Sequence, residues 1–262
     1  MKRRLVLAAV AATPLWARGA QAGPAPLRIA VAPGPQAEVM NLVAQLGAAQ
    51  GLALAPVLSV DAPKAVNAAL AAGGFDAASV EDAVAFAADP ARPRLAEAAL
   101  TLTLPMALYS RRLAALRDLP DGGRVAIPAE PAAATRALLL LHNHGLLVLR
   151  PGAGLSARPA DVQSTRRGLR LASLPSARLA AALDGTADLA VIDRPTAVAA
   201  GLQPARDSLG IEDARSPWAG LLAVRRSDVD APWLRQLVAV YRSEPVKRFI
   251  LERYLDSVRR PW

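Results

Sequence analysis

The 262-residue sequence contains no cysteine. That excludes disulfides, thiolate chemistry and cysteine-ligated metals, and it leaves no thiol to carry an acyl chain behind a leader. Lysine is nearly absent, at Lys2, Lys64 and Lys247, so arginine supplies almost all the positive charge. The paired arginines (Arg111-Arg112, Arg166-Arg167, Arg225-Arg226, Arg259-Arg260) are scattered with few aromatics between them, a pattern of solvated surface and not of a nucleic-acid face. Beyond the N-terminus no apolar run reaches the roughly 18 residues a membrane span needs, although hydrophobic residues make up 53% of the chain and mean hydropathy is +0.25. Much of that content is alanine, so the mature chain is expected to be water-soluble. Catalytic motifs are missing too: there is no G-x-S-x-G, no Walker loop and no metal-spaced histidine pair. The two histidines, His142 and His144, flank Asn143 where a helix ends and favour its dipole. No enzyme activity, metal or cofactor is expected.

Residues 1–22 read as a secretory signal peptide. Lys2, Arg3 and Arg4 precede an apolar stretch from Leu5 to Trp16, and Ala20-Gln21-Ala22 offers a small-x-small cleavage site. The arginine pair also permits twin-arginine export beside the general secretory route. Removing Lys2, Arg3, Arg4 and Arg18 with the leader lowers the formal charge of +9 by four. An exported chain without cysteine is expected free in the periplasm, with no lipid anchor.

The remaining pattern alternates strand and helix. Strands are predicted at Leu27–Val31, Leu52–Val60, Phe75–Val80, Arg170–Leu174, Leu189–Ile192 and Trp218–Val224. Helices are predicted after Pro33-Gly34-Pro35, at Pro63–Ala72, Glu81–Ala88 and Ser176–Leu183, and at roughly Ala231–Arg242 and Glu244–Leu255. Such alternation implies an α/β fold with mainly parallel sheet. Two domains would be joined by extended crossings, for which Tyr109–Arg112 and Pro195–Leu202 are the candidates. Ligands of open α/β sheets bind beyond the carboxyl ends of strands, which places Phe75–Asp82, Ala129–Arg136 and Asp193-Arg194 near any cleft.

The stretch Arg124–Gly145 carries the most information. A short strand, Val125–Ile127, runs through a turn into an Ala/Leu helix with Pro131 at its first position and Gly145 just past its end. Between Ala132 and Leu141 the one charged residue is Arg136, whose helical neighbours are Ala132, Ala133, Leu139 and Leu140. A guanidinium on such a stripe needs an anion, because an isolated buried charge is prohibitively costly. Two partners are open: a ligand, or an internal carboxylate among Asp193, Asp76, Asp82 and Glu130.

Tyr109–Gly154, with its aromatic-Ser-basic opening, L-P-D-G turn, V-A-I-P strand, R-A-L-L-L-L helix and G-L-L-V-L-R-P-G-A-G exit, closely resembles the NlpA/MetQ family of methionine-binding lipoproteins. Asp188–Ala197, Gly201–Ala205, Ile211–Pro217 and Tyr241–Trp262 extend the resemblance over nearly the whole mature chain. It implies a type 2-like periplasmic binding protein, with two α/β lobes closing by a hinge on a small amino acid for an ABC importer. The expected lobes are residues 23–108 with 200–262, and residues 109–199. The implied partners are a small-molecule ligand and a permease/ATPase complex, with the protein itself monomeric. The same fold could serve instead as a periplasmic sensor or interaction domain without transport.

The resemblance also implies site residues. The family's carboxylate-binding arginine falls on Arg136, and its strand-end asparagine on Asp193, which could accept from a ligand ammonium. The family's aromatic-rich segment, with Asn, Phe, His and Tyr, reads here Ala78, Val80, Asp82 and Ala85, and a second pocket asparagine becomes Gly220. The ligand set is therefore Arg136, Asp193, Asp82, Val80, Gly220 and Ala78, with Glu81 and Asp82 also readable as first-turn acids of a helix. A family tyrosine becomes Pro63, Asn67 reads as a helix-packing position, and Trp218 as a core or hinge aromatic. With the aromatic cage largely gone, methionine loses its sulfur–aromatic contacts, and an altered specificity is expected.

Overall fold

The computed structural model describes residues 25–262, so the leader at residues 1–22 lies outside the described residues. In chain order the strands and helices are β1 (Leu27–Val31), α1 (Pro35–Ala48), β2 (Leu54–Leu58), α2 (Pro63–Ala71), β3 (Ala77–Ser79), α3 (Ala83–Ala87), β4 (Leu95–Leu100) and β5 (Ala107–Tyr109). Then come β6 (Arg124–Pro128), α4 (Pro131–Asn143), β7 (Leu147–Leu149), β8 (Val162–Thr165), β9 (Arg170–Leu174), α5 (Leu179–Ala182) and β10 (Leu189–Ile192). The chain closes with α6 (Arg194–Ala199), α7 (Pro204–Asp207), β11 (Ser208–Ile211), β12 (Leu221–Arg225), α8 (Pro232–Tyr241) and α9 (Glu244–Tyr254).

Two five-stranded sheets organise these elements, in the orders β2-β1-β3-β12-β4 and β11-β5-β10-β6-β9, with β7-β8 a separate hairpin. Strand alternation sends residues to opposite faces, and each sheet is covered on both. In the first, Ile29 and Val31 pack with Val39, Val43, Leu237, Val240 and Ile250 of α1, α8 and α9. Ala30 and Ala78 pack on the other face with Val66, Leu70 and Phe86 of α2 and α3. In the second, Leu189 and Val191 meet Ala137, Leu138 and Leu141 of α4, while Ala190 and Ile192 meet Leu179, Leu183 and Ala197.

The sheets are mixed, not mainly parallel. β1-β2, β1-β3, β10-β6 and β6-β9 are parallel, whereas β12 runs antiparallel to β3 and β4, and β5 antiparallel to β10 and β11. The antiparallel members enter from the other sheet along an extended crossing, with no crossover helix to restore their direction. One crossing, residues 101–106, leads from β4 to β5; the other, residues 212–220, leads from β11 to β12. They run side by side: Gly220 N–H donates to Leu102 O at 2.8 Å, and Thr101 N–H to Gly220 O at 2.7 Å. The second sheet thus includes Ala107–Tyr109 and Ser208–Ile211. The anticipated crossings do different work, Tyr109–Arg112 leaving the end of β5 and Pro195–Leu202 holding most of α6.

Helix α4 ends as its composition predicts. Gly145 takes φ +67°, its N–H donates to His142 O at 2.9 Å, and Leu146 N–H donates to Leu141 O at 2.9 Å. This pair of bonds is a Schellman closure, and Leu146 joins Leu141 in the same apolar cluster.

Candidate functional site

Arg136 leaves α4 toward the two crossings. Its side chain is 14% exposed and meets the carboxylate of Glu212, itself 8% exposed. Nε donates to Glu212 Oε1 and Oε2 at 3.0 and 3.1 Å, and Nη2 donates to Glu212 and to Leu104 O, the latter at 2.8 Å. Glu212 also accepts from Met106 N–H at 3.1 Å and from Ser216 Oγ at 2.7 Å. The indole of Trp218 lies 5.5 Å from the guanidinium carbon, a cation–π distance. Every one of these partners belongs to residues 101–106 or 212–220.

None of the four anticipated internal carboxylates takes this arginine. Asp76 accepts from Arg28 N–H at 2.8 Å and pairs with Arg225, and Glu130 accepts from Ser176 Oγ at 2.7 Å. Asp82 caps α3 by accepting from Ala85 N–H at 2.9 Å, and Asp193 caps α6 by accepting from Thr196 N–H at 2.7 Å. Glu212 stands in their place because the crossing carries it under α4. The guanidinium is nevertheless incompletely used, since its Nη1 donates no hydrogen bond among the described residues.

A cavity of about 290 Å³ lies where the carboxyl ends of β1, β3 and β10 face the crossings, lined among others by Gln36, Val80, Glu81, Asp82, Arg136, Asp193, Trp218 and Gly220. A second, of about 240 Å³, shares Asp82, Arg136, Asp193 and Trp218 with it and extends toward Met106 and Ala132. Together they form one cleft. A larger cavity, about 510 Å³, lies elsewhere against Ala129, Thr135, Ser156, Arg158 and Ser173. The smaller cleft is the better site, because charged groups that follow strands of both sheets converge on it beside residues of both crossings, and size alone does not make a specific pocket.

Of the anticipated ligand residues, Arg136, Asp193, Asp82, Val80 and Gly220 line this cleft, whereas Ala78 does not. Ala78 is 1% exposed in the middle of the sheet and packs with Phe86 and Leu221, so its methyl group serves the core. Gly220 leaves no room for a side chain, as a Cβ there would come within 2.9 Å of Leu102 O. Pro63 opens α2, and His144 packs edge-on against Gly210, where a Cβ would come within 2.9 Å of the imidazole. Asn67 is fully buried, and its Nδ2 donates to Glu81 and to Asp89 Oδ2 at 3.0 Å. Burial raises the Glu81 carboxyl above its ordinary value, opposed by the Asn67 hydrogen bond and reinforced by the charges of Asp89 and Asp82.

Two participants escaped the reading of the sequence. Gln36 follows the carboxyl end of β1, and the rule that singled out the ends of β3 and β10 applies equally there. Glu212 had no such signal, because it lies 76 positions from Arg136 in a segment with no periodicity. Among the described residues no group of three or more His, Cys, Asp or Glu could hold a metal ion, and no helix is long and apolar enough to cross a membrane.

The model of the family described as NlpA lipoprotein matches residues 27–262. A D-methionine-binding lipoprotein MetQ from Escherichia coli K12 is 36% identical over 147 residues, 56% of this chain and 54% of the relative. The alignment thus spans about half the length of that curated relative. Outer membrane lipoprotein 2 of Mannheimia haemolytica is 30% identical over 91% of this chain and 87% of its own. Among solved structures, a nutrient binding protein from Burkholderia cenocepacia bound to methionine superposes with a TM-score of 0.72 at 33% identity, covering 90% of this chain and all of that one. A periplasmic substrate-binding protein of an ABC transporter from Coxiella burnetii gives 0.72 at 32% identity over 89% of this chain and 99% of that one.

Proposed function

Because the chain belongs to the NlpA lipoprotein family, we propose that it is the solute-binding component of an ABC importer, taking an amino-acid-like ligand of altered specificity between its two sheets. The observation that carries this reading is Arg136, whose Nη1 donates no hydrogen bond among the described residues, lining a cleft together with Asp193 and Asp82. The ligand's carboxylate would accept from Nη1, and its ammonium would donate to Asp193. Glu212 fixes the guanidinium beforehand, so little side-chain freedom is lost when a ligand arrives. The two crossings act as the hinge, and closure brings Asp82, on the first sheet's side, toward Arg136 and Asp193 on the second. Binding and release need no bond making.

We further place the protein in the periplasm as a monomer, delivering ligand to a permease. Its relatives are named lipoproteins, which does not support the expectation of an unanchored chain, whereas the 262 residues hold no cysteine to acylate. Detergent-phase partitioning of the exported protein, with size-exclusion chromatography, tests both points. The site is tested by calorimetric titration with amino acids. Arg136→Lys keeps the charge opposite Glu212 but loses the fork, so it should weaken binding at least tenfold while the protein stays folded. Full affinity in that variant would remove Arg136 from the site.

A further inference from the structure

The cleft is unbalanced in charge and in hydrogen-bonding sense. Its lining includes the carboxylates of Glu81, Asp82 and Asp193 against one guanidinium, and that guanidinium is already neutralised from behind by Glu212. Asp82 and Asp193 each spend Oδ1 on a helix cap, which leaves Oδ2 of both to accept from something else. Gln36 Oε1, in the same wall, is buried without a hydrogen-bond partner. Against these acceptors the lining side chains offer the Arg136 Nη1 edge as a charged donor. Of these acceptors Gln36 Oε1 is buried and unmatched, which is costly, while Asp82 and Asp193 are half-buried with one unspent oxygen each, so a well-fitting ligand brings more donors than a carboxylate and a single ammonium supply.

Resting on the solute-binding reading above, we infer that the cleft selects an α-amino acid bearing a second cationic group on its side chain, the carboxylate on Arg136, the α-ammonium on Asp193 and the side-chain cation on Asp82. Two further features agree with this arrangement. Asp82 and Asp193 come from different sheets, so a ligand with two separated cations spans the cleft and draws its walls together. Val80, Ala85 and Gly220 in the lining near Asp82 are apolar and short, and with Leu102 and Leu104 they offer a surface for an aliphatic stem.

The test compares lysine with norleucine, which has the same carbon chain and no side-chain ammonium, alongside ornithine, methionine and glutamate. Titrations use the purified protein after a denaturant wash has stripped any retained solute. Lysine or ornithine should bind at least tenfold more tightly than norleucine or methionine, and glutamate most weakly of all. Asp82→Asn removes the charge yet keeps a good helix cap, so the fold survives, and the ratio of lysine to norleucine affinity should fall at least tenfold. Methionine or norleucine binding as tightly as lysine would overturn this inference and leave the solute-binding reading standing. An unchanged ratio in Asp82→Asn would overturn it as well. Failure of every amino acid to bind would remove both.

Discussion

At the scale of single residues, the pairing of Arg136 with Glu212 decides how the cleft works. Each charge is nearly buried, and breaking a buried pair by deleting one partner strands the other in a low-dielectric site. Glu212→Ala should therefore cost about 3–5 kcal/mol, seen as a lower denaturation midpoint, and it should abolish ligand binding even in the surviving folded fraction. Ser216→Ala removes one of the bonds that hold Glu212, at 2.7 Å, and should cost about 1 kcal/mol. Glu81 behaves in the opposite sense. Burial raises its carboxyl pKa in the folded protein, so the unfolded chain releases that proton at lower pH. Stability then falls as pH climbs from the ordinary glutamate range through the raised value. Glu81→Gln should flatten that part of the pH profile and stabilise the protein at neutral pH, while its carbonyl can still accept from Asn67. Equal pH dependence in the two proteins by urea titration would contradict this.

At the scale of elements, local signals worked where an element is closed by its own residues. Pro131 and Gly145 bound α4 as their backbone preferences require, and Gly145→Ala should cost about 1–2 kcal/mol because its φ of +67° suits glycine. Strands β1, β9 and β10 were legible to the residue, since each is a short segment bounded by turn chemistry, wholly apolar in β10 and mostly so in β1 and β9. What local reading missed is settled over longer distances. The β7-β8 hairpin spans 12 intervening residues of weak pattern, and β11 at the sheet edge owes its place to its neighbour β5, far earlier in the chain. Strand direction escaped for the same reason, as polarity follows from the route of the chain between sheets and not from side-chain alternation. In the site, Arg136 announced itself as a lone charge on an apolar stripe, whereas its partner had no mark of its own.

At the scale of the whole molecule, the two crossings join everything that matters. Small-angle scattering should show a smaller radius of gyration with bound ligand than without, and an unchanged value would argue against hinge closure. Gly220→Ala should jam that region, because the added methyl group meets the Leu102 carbonyl; the expected loss is about 1–3 kcal/mol, with closure impaired beyond what stability explains. Arg136 is held, directly or through Glu212, by Leu104 O, Met106 N–H and Ser216 Oγ, all of them on the two crossings. In the hinge proposed above, the direction in which Nη1 points would therefore follow the angle between the lobes. A substitution along the crossings should then re-aim the Arg136 guanidinium, and a ligand that holds that group still should hold the joint still.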